Sequence, residues 1–370
     1  MSTERTDRIA DPSTEPDTAT TTATTTAPGT TTASDTAPTA GVVPPELPAH
    51  DPADATENAV IARLAGNWHR RAAVKREEPD LDTLYDVTRD DYPERILPFR
   101  DHPTFTALAP EDRTRLLSWA WVSYNRTTVL LEGQIVNPAF QLGLDGGFPQ
   151  LGGELMQRSL AQAMVDEQYH TLMHLNASAV TRRKRGWALP DAVLPKPLIV
   201  RRHDELRAAA TEEWERSLTT LAFATVAEIS INAYLNLIAD DKEIQPVNSA
   251  AVRIHNRDEY CHASIAAVLA EKVHADLDER RQRFFLKALV DGLEAFVGND
   301  FTTWHRIMDE TGIPGGHAML DDIQAAGGRK RLIQDFTGLH QLVERLGALD
   351  RVDFDWSRSI TDSDAASPAA

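Results

Sequence analysis

Cysteine is almost missing from this chain: Cys261 is the one thiol in 370 residues. That excludes an internal disulfide and a cysteine-based zinc knuckle, and a reducing compartment is the expected setting. Basic charge is also scarce. Lys and Arg number 38 against 56 Asp and Glu, for a formal net charge of -18. A generic nucleic-acid binder needs the opposite sign, so no nucleic-acid partner is expected. No stretch approaches the ~18 apolar residues of a spanning helix, so no membrane partner is expected either. Met1 to Asp11 carry charge and no apolar run. A secretory signal is therefore not expected, and the expected location is cytoplasmic. Strand-like alternation is rare as well.

What the chain does contain falls into three parts. Residues 1 to 55 are dominated by Thr, Ala, Pro and Ser, most strongly from Thr18 to Thr39. Such a stretch cannot bury enough apolar surface to offset its chain entropy, and a disordered tail is expected. A second frayed tail is expected over residues 357–370. The domain between them, 56–356, reads as helical. Pro110-Glu111-Asp112 opens one run through Ile135, because proline and acids suit a helix start, and the Gly-rich stretch 143–153 ends it. Further runs cover Leu155–Val180, Asp204–Ile238, Pro246–His274 and Leu277–Val297. The expected class is all-α, with long antiparallel helices. Residues 182–202, with three prolines and many bases, are expected to form a surface loop. The cluster Arg182-Arg183-Lys184-Arg185 reads as a solvated helix end rather than an anion site.

Two copies of one pattern carry the chemistry. Asp166-Glu167-Gln168-Tyr169-His170 and Asp258-Glu259-Tyr260-Cys261-His262 are both D-E-x-x-H. A chain of this composition would hold two copies by chance only ~0.002 times, so the repeat needs a cause. On a helix the Glu and His of each copy share a face and offer a carboxylate and an imidazole to one metal ion. Glu132 lies 35 residues before Glu167, and Glu228 lies 31 before Glu259. Each sits on an apolar helix face: Trp121, Thr128, Ile135 and Ala139 around Glu132, and Leu221, Ala224, Ile231 and Leu235 around Glu228. A lone buried carboxylate costs several kcal/mol or takes up a proton, and a dication removes that cost. Four helices that each aim a carboxylate inward, two of them adding a histidine, make the ligand set of a ferritin-like dinuclear bundle. Buried, hydrogen-bonded carboxylates without a metal are the alternative.

His255 falls within ~60° of arc of Glu259 and His262 on one helix, so it offers a seventh donor. The alternative is a core histidine beside the site. His174 follows His170 by four residues but has no counterpart in the second half, and reads as a core residue or one that supports a ligand. Cys261 points away from His262 and takes no metal role. Asp166 and Asp258 are expected to bond the outer nitrogens of metal-bound histidines. Hard carboxylates with imidazoles suit two iron ions better than zinc, and Mn satisfies the same set.

At this point the chain resembles the di-iron arylamine N-oxygenases, a family with members in aureothin and chloramphenicol biosynthesis. The resemblance runs from Asp91-Tyr92-Pro93 to Asp353-Phe354. It includes Trp121–Asn125, Val165–His170, Ala227–Ala233, Ile244-Gln245-Pro246, Leu293-Glu294-Ala295-Phe296 and Asp335-Phe336, together with His255. It implies a ferritin-like four-helix bundle core with flanking helices. It also implies Glu132, Glu167, His170, Glu228, His255, Glu259 and His262 as iron ligands. The implied reaction uses O2 and an external electron donor to oxidise an aryl amine through hydroxylamine and nitroso stages to a nitroarene. A homodimer is compatible with it. In the aminobenzoate-oxidising members, arginines that hold the substrate carboxylate occupy positions taken here by Thr127 and Gln334. Tyr124 and Leu131 complete the expected substrate pocket, and an uncharged or bulkier aryl amine, as in chloramphenicol biosynthesis, is the expected substrate. The competing readings are 4-aminobenzoate itself, a ferritin-like C–H hydroxylase, an iron-storage protein and a helical scaffold.

Overall fold

The runs of helical periodicity become long helices that pack side by side, in a computed structural model that describes residues 55–76, 80–327 and 335–356. Apart from Ala55, the first residue of α1, both expected tails lie outside the described residues, as do Gln334 and Arg331, a base three residues before it in sequence. Numbering the longer helices, α1 is Ala55–Arg71, α2 Pro110–Leu131, α3 Asn137–Leu144, α4 Glu154–Arg185 and α5 Leu198–Ala209. They are followed by α6 Glu213–Ala239, α7 Pro246–Asp276, α8 Glu279–Val297, α9 Phe301–Thr311, α10 Gly316–Ala325 and α11 Thr337–Arg345. Among the described residues no strand forms; the one β-type pairing is an isolated bridge between Asp90 and Ile244. The chain is all-α.

Four of these helices close a ring. α2 packs on α4, α4 on α7, α7 on α6, and α6 on the turn that continues α2. The bundle is shielded on one side by α1, which lies on α4 and α7, and on another by α5 and α8, which lie on α6. Each long helix has a local reason to start or stop. Pro110 with Glu111 and Asp112 opens α2, and Pro246 opens α7, positions where a missing N–H costs nothing. Gly186, at φ 70°, ends α4 in the left-handed conformation that glycine adopts without penalty.

Between α2 and α3 the helix widens into a π turn, Glu132–Val136. Pro138 supplies the reason: it has no N–H for the carbonyl of Gln134, and its ring crowds that carbonyl. The helix accommodates this by a wider turn rather than a break, and Glu132 stands at its first residue.

Three expectations need correction. The run Asp204–Ile238 is two helices. Glu212 caps α6 through a box with Glu215, and Thr211 also donates to Glu215, so the chain turns at residues 210–212. Residues 182–202 are not a surface loop throughout: α4 continues to Arg185, α5 begins at Leu198, and Leu189, Leu194, Ile199 and Val200 are buried. The bases at the end of α4 are paired, Arg182 with Asp191, Arg183 and Lys184 with Asp82, and Arg185 with Asp91. Finally, α6 does pass a membrane span's test of length and apolarity. Its apolar residues face α5, α7 and α8, and it carries buried Glu228, so it is the central helix of the bundle.

The α6–α8 contact is tight. A Cβ on Gly292 would come within 3.3 Å of Val226 and 3.5 Å of Phe223. Phe223 is fully buried there. Phe223→Ala is expected to lower the unfolding free energy by about 3–5 kcal/mol, the usual cost of emptying a phenylalanine site. Denaturant melts of the metal-free chain check this; a loss under ~1 kcal/mol would mean the site collapses without a cavity.

Candidate metal centre

All seven side chains singled out by spacing converge inside the ring. Glu132, Glu167, His170, Glu228, His255, Glu259 and His262 are each at most 4% exposed. Glu132 comes from the π turn, Glu167 and His170 from α4, Glu228 from α6, and the other three from α7. Glu167 spans the centre: one oxygen lies 3.2 Å from His170 Nδ1 and the other 2.6 Å from His262 Nδ1. Glu259 Oε1 lies 3.4 Å from His170 Nδ1, 3.3 Å from His262 Nδ1 and 3.0 Å from His255 Nε2. Glu132 Oε1 flanks one side, 3.4 Å from His255 Nε2 and 3.9 Å from His170 Nδ1. Glu228 flanks the other, 3.7 Å from His262 Nδ1. Two subsites result. One gathers Glu132, His170 and His255, the other Glu228 and His262, and Glu167 and Glu259 stand between them. The donor atoms of Glu167, His170, Glu259 and His262, and those of Glu132, His170 and His255, lie close enough to share an ion.

The electrostatics of this cluster demand a counter-charge. Burial, then the charge of Glu167, pushes the Glu132 carboxyl well above its usual range. Burial, then the charges of Glu259 and Glu167, does the same to Glu228. Burial and the neighbouring Glu259 act to raise Glu167 as well, but His262 and His170 hold it below its usual value. Glu259 is held well below in spite of burial, by His262 and His255. His170 and His262 are raised well above the ordinary imidazole value. Burial opposes this in both. The bond to Asp258 and Glu167 overcomes it at His170, and the charges of Glu167 and Glu259 at His262. Protons thus do the work of cations, and metal ions would displace them. Glu132 Oε1 and Glu228 Oε2 are buried with no hydrogen-bond partner. Unsatisfied oxygens in a set of four carboxylates and three imidazoles fit two hard or borderline cations.

The outer nitrogens are held crosswise. His170 Nε2 faces Asp258 at 3.4 Å, and His262 Nε2 faces Asp166 at 3.3 Å. Each D-E-x-x-H motif therefore supports the histidine of the other, which ties α4 to α7. The two aspartates are bound in turn by residues that spacing did not reveal. Trp68 Nε1 donates to both oxygens of Asp166 at 2.9 Å, Ala73 N donates to Asp258 at 3.0 Å, and Arg71 lies 3.7 Å from each aspartate.

His255 has its own support. Asn125 Nδ2 donates to the Trp121 carbonyl, which leaves its Oδ1 as an acceptor 2.6 Å from His174 Nδ1. His174 Nε2 is thereby placed to accept from His255 Nδ1 at 2.9 Å, the tautomer in which His255 Nε2 would offer its lone pair to a metal ion beside Glu132 and Glu259. His174 is thus a supporting residue, and burial with the neighbouring His255 and His170 keeps its ring neutral. Cys261 takes no part in either donor group.

A cavity of about 240 Å³ lies on the α2–α6 side of the centre. Tyr124, Thr127 and Leu131, expected in the pocket, all line it, with Tyr92, Tyr234 and residues 295–304 that spacing had not indicated. Thr128, Leu131 and Ile231 are shared with a narrow space that reaches Glu132, Glu228, His255 and Glu259. Tyr124 stays protonated, pushed well above its usual value by burial and the neighbouring Tyr234. Asp300 is the one formally charged side chain of the described lining, and Arg201 pairs with it at 3.2 Å. Arg126, beside Thr127 in sequence, instead donates to the Leu194 carbonyl and does not line the cavity.

Comparison with known proteins identifies the family of this chain. Residues 54–347 match the family described as P-aminobenzoate N-oxygenase AurF. A 4-aminobenzoate N-oxygenase of Streptomyces thioluteus is 38% identical over 303 residues, covering 81% of this chain and 89% of that protein. Among solved structures, an R2-like ligand-binding oxidase with a reconstituted Mn/Fe cofactor aligns over 79% of this chain and 94% of its own, at 13% identity and a TM-score of 0.39. With a family match over most of its length and a relative of this similarity, the chain belongs to the p-aminobenzoate N-oxygenase AurF family of oxidoreductases.

Proposed function

We propose that this chain is a non-haem di-iron oxygenase that uses O2 and an external electron donor to oxidise an uncharged aryl amine, through hydroxylamine and nitroso stages, to a nitroarene. The observation that carries the reading is one dry cluster of four carboxylates and three imidazoles opening onto an arene-sized apolar cavity. Glu132, His170 and His255 would hold one iron and Glu228 and His262 the other, with Glu167 and Glu259 placed between them to serve both. Two iron ions in this set supply the reduction of O2 and the delivery of oxygen to nitrogen. Mn satisfies the same donors.

The protein's own residues have distinct tasks in this reading. Asp166 and Asp258 orient the two motif imidazoles so that Nδ1 faces inward. Asn125 and His174 present the Nε2 lone pair of His255. Leu131 and Ile231 flank the passage by which an amino group approaches the carboxylates, and their apolar surface excludes water. Tyr124 and the Tyr92–Tyr234 hydroxyl pair offer neutral hydrogen bonds to a ring substituent. No Arg, Lys or His is among the described lining. A carboxylate clamp is therefore missing there, which supports a neutral substrate such as the amino precursor in chloramphenicol-type biosynthesis. The activity for which the Streptomyces relative is named favours 4-aminobenzoate instead.

The iron-loaded protein is expected to contain about two Fe per chain, as four-carboxylate bundles of this kind do. Supplied with a 4-aminophenyl substrate, reductant and O2, it should form the nitroarene. Elemental analysis with one Zn and neither Fe nor Mn would sink the ligand assignment. Two Fe with oxidation only at carbon would move the reaction to C–H hydroxylation.

A further inference from the structure

We propose that the C-terminal end of α1 is the docking surface for a small acidic one-electron carrier protein, and that Trp68, Asp166 and His262 connect this surface to the metal centre. The inference rests on the di-iron reading above, since oxidised iron must regain electrons between turnovers. An electron leaves the carrier, a [2Fe–2S] protein in the test below. The carrier is oxidised, a ferric ion becomes ferrous, and no covalent bond forms or breaks. Two such transfers restore the pair.

Charge marks the surface. From Asn58 to Arg76 the sequence holds Arg63, Arg70, Arg71, Lys75 and Arg76 and no acid, in a chain of net charge -18. Arg63, Arg70, Lys75 and Arg76 are exposed. Arg70 donates to the Asn67 side-chain oxygen and Arg76 to the Arg70 carbonyl, both neutral acceptors. Among the described residues, neither meets a carboxylate. A compact acidic protein would cover this patch and no more, and attraction between the two would steer its approach. An extended polyanion or an anionic membrane would also meet the acidic surface beyond the patch and be repelled.

A hydrogen-bonded route starts at the Lys75 edge of the patch. Trp68 is partly exposed, with Lys75 Nζ 4.8 Å from its ring centre. Its indole N–H lies 2.9 Å from both oxygens of Asp166. Asp166 Oδ2 is 3.3 Å from His262 Nε2, and the far nitrogen of that ring faces Glu167, Glu228 and Glu259. The other crossed pair has no equivalent. Asp258 is bound by the Ala73 backbone N–H and not by an aromatic ring. Among the described residues, one subsite alone is therefore linked through an aromatic group to the surface, and that group emerges beside Lys75.

The test uses the full chain and a reduced plant-type [2Fe–2S] ferredoxin. Anaerobic stopped-flow absorbance follows reduction of the oxidised iron-loaded protein. Calorimetry follows ferredoxin binding to the metal-free protein. Reversing two charges, Arg70→Glu with Lys75→Glu, should slow reduction by ferredoxin and weaken its binding by about 10-fold or more at low salt. Reduction by photoreduced deazariboflavin, a small uncharged donor, should keep its rate in that variant. Trp68→Phe should slow reduction by ferredoxin while leaving ferredoxin binding and iron content unchanged. Equal ferredoxin binding and rates for the wild-type and charge-reversed proteins overturn the docking surface. A wild-type ferredoxin rate in Trp68→Phe, or a slow rate accompanied by loss of iron, overturns the route. A protein that holds no reducible metal with any donor fails the di-iron reading instead, and the binding measurement still decides the surface.

Discussion

Replacing His255 by alanine should cost the protein at least 10-fold in iron affinity or turnover while leaving the bundle folded. The expectation follows from where the imidazole sits. Its Nε2 is 3.0 Å from Glu259 and 3.4 Å from Glu132, so removal takes a donor from one subsite and leaves the other intact. Changes to groups that merely support a metal-binding histidine typically cost 10–100-fold, and loss of the donor itself should cost no less. The bundle survives because His255 lies at one point of α7, whose packing on α6 runs along most of its length. His174→Phe separates donor from support. It keeps the bulk but removes the Nε2 acceptor 2.9 Å from His255, so both tautomers of His255 become accessible. The expected loss is intermediate, within the 10–100-fold range. Iron content after gel filtration, together with kcat on a 4-aminophenyl substrate, checks both variants. Full iron and full activity in His255→Ala would make His255 a core residue and reduce the donor set to six.

A neutral 4-aminophenyl amide should be turned over with kcat/KM at least ~10-fold above that of 4-aminobenzoate. The cavity is lined by tyrosine hydroxyls, threonines and apolar side chains, and its one described charge, Asp300, is neutralised by Arg201. A benzoate entering it would lose hydration without gaining a guanidinium, and a charge-assisted pair is worth about 1.5–3 kcal/mol. That range corresponds to roughly 12–140-fold in kcat/KM at 1.4 kcal/mol per decade. Paired steady-state kinetics at one pH and one O2 level decide the point. Should 4-aminobenzoate prove equal or better, a base outside the described lining must reach the ring, and Arg331 is the first to replace. Installing the missing group tests the same idea in reverse. Thr127 lines the cavity and already faces the correct wall, so Thr127→Arg should shift the preference toward the carboxylate.

Much of this protein is a matter of local spacing. Glu167 with His170, and Glu259 with His255 and His262, share helix faces because 3.6 residues make a turn, and no partner helix is needed to know it. Glu132 and Glu228 stand out because a carboxylate on an apolar face has to be explained wherever that face goes. The seven candidate donors, the all-α class and the starts of α2 and α7 are therefore written in the chain itself. The rest depends on distances that spacing does not encode. The crossed bonds from Asp166 to His262 and from Asp258 to His170 join residues 96 and 88 apart. The links from Trp68 to Asp166 and from His174 to His255 span 98 and 81. Each exists only because packed helices bring remote turns to the same level. The end of the α5 helix at residue 209 and the π turn at Glu132 are local, set by capping and a proline's missing donor, signals that periodicity alone does not read. The cavity wall that runs from Ala295 to Trp304 depends instead on how α8 packs on α6. Sequence determined which atoms are available to a metal; tertiary structure decided what holds those atoms in place and what can reach them, because support and access are relations between helices.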